Sequence, residues 1–289
     1  MNWCVPTPSK QSRAWPNGVS ILCGKKGVLS SQRPTSPTSA TANNRLLATL
    51  TRPTLEQLRP HLEHVDLPLK RVLFDVNVPI EHVYFLESGV ASVLGVMTDG
   101  AAVEVATVGN EGLVGHPVVL GADRMPCHAF MQVPGSGLRM RSDALRPALE
   151  THPELRHLLG RYTQALFTLV AQGAACNRIH SMGQRCARWL LMTHDRVDGD
   201  EFELTQAFLA MMLGVRRATV NAVGQQLQDQ GLIRYVRGVV TVLDRQRLEE
   251  ASCECYGIVR SEFARLIEGR TLESPLADLI TQPGMTDRR

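Results

Sequence analysis

LTQAFLAMMLGVRRATVNAVGQQLQDQGLIRYVRGVVTVL, residues 204–243, is the stretch from which the fold can be read. Thr205 can accept a hydrogen bond from a free backbone N–H in the first turn of a helix. That helix runs through Phe208, Leu209, Met211, Met212 and Leu213, and Gly214 suits a left-handed carboxyl cap. A second helix starts within two or three residues. From Arg216 to Gln228 it places Val220, Val223, Gly224 and Leu227 on one buried face, with Arg216, Arg217, Thr219, Asn221, Gln225 and Gln228 elsewhere. Two β-rich runs, 231–236 and 239–243, then flank Arg237-Gly238, a hairpin signal. Two short helices about a glycine turn, followed by a hairpin, form a winged helix-turn-helix, the arrangement that sets its second helix into a DNA major groove.

Charge placement agrees. Between Leu204 and Leu243, Arg216, Arg217, Arg234 and Arg237 stand against Asp229 alone. An arginine in the first turn of the second helix can donate twice to guanine, discriminating by ~1–3 kcal/mol, and Asn221 offers a donor and an acceptor to adenine. Base readout is therefore expected of Arg216, Arg217 and Asn221, and contacts to the DNA backbone of Thr205, Gln206, Thr219, Gln225, Arg234 and Arg237. Upstream, Gly183 reads as a linker, Cys186–Arg196 as an amphipathic helix and Asp195 to Glu203 as an acidic turn.

Pro153 to about Ser181 reads as one long helix, capped by Thr151, with Pro153 tolerated in its first turn and Glu154 facing the positive end of its dipole. Leu155, Leu159, Tyr162, Leu166 and Leu169 recur at steps of four and three, the spacing of a coiled-coil seam. A β domain lying on the helix would use the same stripe. A dimer seam is favoured because a second DNA-reading half would otherwise be missing. Before this helix come short β-rich runs at 71–74, 82–86, 91–97, 103–107, 113–119, 129–133 and 137–141, separated by Gly, Pro, Asn and Asp. They predict a jelly-roll or barrel. Earlier still, leucines between Arg45 and about Glu63 suggest two short helices broken at Pro53.

The expected class is α+β, in the order disordered basic tail (1–44), β-roll (45–150), dimerisation helix (151–182), winged helix-turn-helix (183–260), and carboxyl-terminal helix and tail (261–289). The tail holds Lys10, Arg13, Lys25, Lys26 and Arg33 with no acidic residue. Over the 289 residues a 44% hydrophobic and 20% charged composition is that of a globular protein, and a net charge of +3 says little by itself. No apolar run approaches the ~20 residues of a membrane span, and the patch Val19–Cys23 lacks a signal-peptide cleavage site. Seven cysteines without repeating spacings favour a reducing compartment, the cytoplasm.

The order β-roll, long helix, winged helix-turn-helix resembles the Crp/Fnr family of bacterial regulators across nearly all of residues 46 to 260. The resemblance is carried by 83–89 (VYFLESG), 109–115 (GNEGLVG), 213–220 (LGVRRATV) and 231–233 (GLI). It implies a homodimer joined through the long helix, a near-palindromic duplex DNA site and contact with RNA polymerase. Members that bind a cyclic nucleotide carry a Gly-Glu pair for the ribose and, ten residues after the Glu, an Arg-Ser or Arg-Ala pair for the phosphate. Here Gly115-His116 and Pro126-Cys127 occupy those places, a degenerate effector pocket. Losing both charged contacts predicts no binding of cyclic AMP or cyclic GMP, although Arg124 lies close enough for a loop shift to restore the phosphate contact.

In the recognition helix Arg217 matches the family's first arginine, whereas Ala218 and Ala222 replace the glutamate and second arginine that read bases, so the target should differ. Cys4 and Cys23 lack iron–sulfur cluster spacing. Cys253 and Cys255 read as ordinary thiols, and His61 and His64 as solvated. No metal or cofactor is predicted, and the effector is unspecified. A cupin-type enzyme would need an H-x-H ligand pair, which does not occur. A ligand-binding or protein-interaction module of the same fold that no longer reads DNA is the remaining alternative.

Overall fold

In a computed structural model of the chain, residues 43–276 are described. The basic tail and its two cysteines lie outside them, except for its last two residues. Asn44, assigned to the tail, is instead fully buried and belongs to the fold. Its Oδ1 accepts from Leu47 N (3.1 Å), capping helix α1 (Arg45–Ala48), while Nδ2 donates to the carbonyls of Leu86 and Gly112 at 2.8 and 2.9 Å. Helix α2 (Arg52–Leu58) follows. Pro53 sits in its first turn, where no N–H is needed, and the break between the helices falls at residues 49–51.

Eight strands build the β-roll: β1 (Glu63–Leu67), β2 (Val72–Phe74), β3 (His82–Leu86), β4 (Val90–Val96), β5 (Ala102–Val108), β6 (Leu113–Val114), β7 (Cys127–Val133) and β8 (Gly135–Arg141). They form two antiparallel four-stranded sheets, ordered β1-β8-β3-β6 and β2-β7-β4-β5. Phe85, Leu86, Leu94, Leu113, Met131 and Met140 close the core between them. The strand expected over 113–119 stops at Val114. Gly115 takes φ 102° and Pro117 cannot donate to a ladder, so His116–Leu120 winds as a 3-10 turn instead.

Helix α3 (Ser142–Thr151) was not foreseen. Thr151 ends it, its hydroxyl donating to the Pro147 carbonyl at 3.1 Å, and does not cap the next helix; His152 holds that place. Helix α4 (Pro153–Ile179) then spans 27 residues. Glu154 in its first turn accepts from Thr51 N and from the Thr51 and Thr54 hydroxyls at 2.7–2.8 Å, tying α4 to α2.

Helix α5 (Met182–His194) opens on a capping box in which Ser181 and Gln184 satisfy each other's backbone N–H groups, so Gly183 lies inside the first turn and is no linker. The acidic stretch after α5 contains a strand, β9 (Glu201–Glu203). Helices α6 (Gln206–Leu213) and α7 (Arg217–Asp229) and strands β10 (Ile233–Val236) and β11 (Val239–Val242) follow, and the sheet order is β10-β11-β9. Helices α8 (Arg245–Ala251) and α9 (Cys255–Ile267) complete the described chain, with α9 packed along α4 and Phe263 edge-on to Tyr162. No helix among the described residues is long and apolar enough to cross a membrane.

Candidate nucleic-acid interface

Local chemistry sets the helix-turn-helix. Thr205 Oγ1 accepts from Phe208 N at 3.2 Å, and Gly214 ends α6 at φ 65°. Arg216 has extended backbone and stands as the amino-terminal cap of α7, one place before the helix in which it was expected. Val220, Val223, Gly224 and Leu227 are buried as the pattern required. Arg216, Arg217, Thr219, Asn221 and Gln225 are exposed, as are Ala218 and Ala222. The solvent face of α7 therefore presents two guanidinium groups at its amino-terminal end and a carboxamide one turn later.

The wing is a two-residue hairpin. Arg237 and Gly238 take φ 51° and 81°, the left-handed pair that matches the strand twist. Tyr235 anchors it to α7 and to the segment leading into α6, donating from its hydroxyl to the Leu204 carbonyl (2.7 Å) and from its N–H to Gln228 Oε1 (2.9 Å). Arg234 is exposed and its guanidinium lies 3.4 Å from Thr241 Oγ1. Arg216, Arg217, Arg234 and Arg237 form no ion pair among the described residues, so their charge is available to an anionic partner. Three residues named from the sequence are differently engaged. Gln225 donates to Asp229 at 2.8 Å, Gln206 is half-buried, and the Thr205 hydroxyl is used in capping.

The reading unit is docked on the β-roll. Phe208 of α6 meets Phe130 of β7 edge-on at 6.0 Å, and a Cβ on Gly214 would come within 3.1 Å of Val103 in β5. Trp189 Nε1 of α5 donates to Glu104 of β5 at 2.5 Å. Glu111, in the turn before β6, accepts from Arg196 Nε at 2.9 Å, with both side chains below one-tenth exposed. A Cβ at Gly109 would strike that arginine, which is why glycine opens the GNEG turn.

At the effector-pocket positions, Gly115 is buried in its left-handed conformation, and burial pushes His116 down to about 4, leaving the imidazole neutral at ordinary pH. Pro126 is exposed, and Cys127 opens β7 half-buried with its thiol pushed up by burial. Arg124 is exposed and binds Asp123 through two hydrogen bonds of 3.1 and 2.8 Å, so its charge is engaged outside the roll.

The proposed dimer seam requires correction. Leu155, Leu159, Tyr162, Leu166 and Leu169 are 0–4% exposed within the single chain, and Tyr162 donates to the Leu113 carbonyl at 3.0 Å. A side chain already enclosed by its own β-roll and α9 has no surface left for a partner. The open face of α4 carries Gly160, Gln164, Phe167, Ala171 and Ala174 instead, at the same alternation of four and three.

A β-roll joined by a long helix to a winged helix-turn-helix defines the class: a helix-turn-helix DNA-binding transcription regulator with a cyclic-nucleotide-binding-type domain. Residues 64–152 match the family model of a cyclic nucleotide-binding domain, and residues 184–251 that of a Crp-like helix-turn-helix domain. The chain belongs to the Crp/Fnr family. No curated relative matches it by sequence. Among solved structures it is similar to FixK2 from Bradyrhizobium japonicum, at 17% identity and a TM-score of 0.58, covering 66% of this chain and 98% of that one. A putative Crp/Fnr-family transcriptional regulator from Eubacterium rectale superposes at 15% identity and 0.58, covering 71% and 96%. The c-di-GMP-responsive regulator CLP from Xanthomonas campestris superposes at 17% identity and 0.55, covering 66% and 99%.

Proposed function

We propose that the chain is a cytoplasmic homodimer that regulates transcription by reading a near-palindromic duplex site, and that it does so without responding to cyclic AMP or cyclic GMP. The observation that carries this reading is the face of α7 with Arg216, Arg217 and Asn221 in solvent and unpaired, beside a wing tipped by Arg237. Arg217 and Asn221 address base edges, and Arg216, the cap of α7, stands where it reaches either a base or the flanking phosphate. Thr219 and Arg234 lie where the sugar–phosphate backbone would pass. Two copies meet through the open stripe of α4, which would set two α7 helices about one DNA turn apart, ~34 Å. Contact with RNA polymerase fits the family and is part of the proposal.

Genomic footprinting with purified protein tests the reading. Expected are a protected two-fold site, relaxed specificity at one base pair for Arg217→Ala, and for Arg237→Ala a uniform loss with a shallower salt dependence. A folded protein that protects no site and shows no salt-dependent affinity for any duplex is instead a ligand- or protein-binding module. Calorimetry with cyclic AMP and cyclic GMP should register no binding, since neither His116 nor Cys127 offers the charges those ligands need; micromolar binding of either would overturn that part.

A further inference from the structure

Cys253 and Cys255, read from the sequence as ordinary thiols, do not stand alone. The last turn of α4 brings Cys176, and the extended residue that ends the helix brings His180, to the short segment that enters α9. Cys176 Sγ lies 3.5 Å from Cys253 Sγ, and His180 Nδ1 lies 3.4 Å from Cys255 Sγ. All four ligand atoms fall within 4.8 Å of one another. Cys176, Cys253 and Cys255 are at most 4% exposed and form a cluster separate from the main core.

We propose that Cys176, His180, Cys253 and Cys255 bind one zinc ion, which fastens the end of the long helix to the base of α9. The donor set is Cys3His, a closed tetrahedral structural type. With Zn–S bonds of ~2.3 Å, tetrahedral sulfurs sit ~3.8 Å apart, close to the spacing found. An iron–sulfur cube, whose ligands bond separate irons at its corners, needs a wider set.

The surroundings are those of a metal ligand shell. His180 Nε2 faces the Glu254 carboxylate at 3.2 Å, leaving Nδ1 for the ion, and Gln172 Nε2 donates to Cys255 Sγ at 3.2 Å. Three thiolates about a dication carry one net negative charge, and the site lies beside Arg188. That guanidinium is buried, forms no ion pair among the described residues, and has an Nε without a hydrogen-bond partner. Its charge acts on both Cys176 and the buried Glu104 carboxyl. A buried cation needs a counter-charge, and an anionic zinc–thiolate centre supplies one. A Cys176–Cys253 disulfide would use two of the four groups and leave the Glu254–His180 pair without purpose.

The site stands whether or not α7 reads DNA. The full chain, purified without chelator, should contain one zinc per molecule by elemental mass spectrometry. After stripping, cobalt titration should produce the thiolate charge-transfer and intense d–d bands of a tetrahedral centre, and zinc should bleach them. Cys176→Ser and Cys255→Ser should abolish those bands, while Cys186→Ala, whose thiol is buried elsewhere in α5, should retain them. Glu254→Gln should keep the spectrum and weaken the affinity about 10- to 100-fold, as a positioning residue does. Should a cysteine variant fail to fold, the wild-type titration still decides. Wild-type protein that holds no stoichiometric metal and gives no tetrahedral cobalt spectrum overturns the proposal, as does one whose freshly reduced thiols form a Cys176–Cys253 disulfide without binding metal first.

Discussion

Glu104 shows how a single carboxyl can report on the contact between the β-roll and the reading unit. Its Oε2 receives Trp189 Nε1, while Oε1 is enclosed with no hydrogen-bond partner. Burial pushes its carboxyl up to about 7. The folded chain thus holds this proton more tightly than the unfolded chain does. Its contribution to stability is therefore greatest below the ordinary carboxyl range and falls as pH rises to about 7, by about 2–3 kcal/mol. Glu104→Gln keeps an acceptor for Trp189 and should flatten that decline. Urea midpoints measured from acid to neutral pH check it, and an unchanged slope refutes the assignment. Arg196 and Glu111 behave differently, because each leaves the other's charge stranded when removed. Arg196→Met should cost about 3–5 kcal/mol in chemical denaturation, and a loss below 1 kcal/mol would mean the pair is hydrated. The arginines of α7 could be found from sequence because a cap, a glycine and a four-residue periodicity locate them within one short window. Glu104, Arg196, Cys176 and His180 could not, since each acquires its partner from 70 or more residues away along the chain.

Helix α4 illustrates what a periodic pattern does and does not specify. The leucines at 155, 159, 166 and 169 correctly announced a helix with one apolar stripe, but a stripe does not name what covers it, and the β-roll and α9 cover this one. The opposite stripe is made of Gln164, small residues and Phe167, 65% exposed, which hydrophobicity alone would not single out. Phe167→Glu should leave the fold intact and convert a dimer to a monomer in sedimentation equilibrium. A dimer that survives the substitution moves the contact off this face. Other elements escaped notice for physical reasons. Strand β1 buries only Leu67 and so shows no alternation, β9 is three residues of which two are acidic, and α3 carries Pro147 in its interior. The remaining strands were legible because turns rich in Gly, Asn and Asp delimit them.

Taken together, the two domains meet along a continuous surface: Phe208 on Phe130, Gly214 against Val103, Trp189 over Glu104, and Arg196 in the Glu111 turn. Buried apolar and ionic contacts of this kind make separate unfolding of either part unfavourable. Thermal unfolding followed by Trp fluorescence and by far-ultraviolet circular dichroism should give coincident transitions in the wild type. Arg196→Met, which removes the ionic contact between the domains, should separate the two curves. Coincident curves in that variant would mean that the apolar contacts alone suffice. The domain order was readable from the sequence, since a run of short strands over 71–141 precedes the helical periodicity that begins at Pro153. Their docking was not, because it depends on surfaces that are each ordinary in isolation.

The wing tip has a practical use for anyone dissecting recognition. A side chain with a β-carbon is strained at φ 51°, and asparagine tolerates that region far better than arginine or valine. Exchanging Arg237 for asparagine therefore subtracts a positive charge without disturbing the bend, whereas valine subtracts the same charge and splays the hairpin. If both exchanges weaken a duplex complex equally, the loss is purely coulombic; if valine is worse, the shape of the finger also matters.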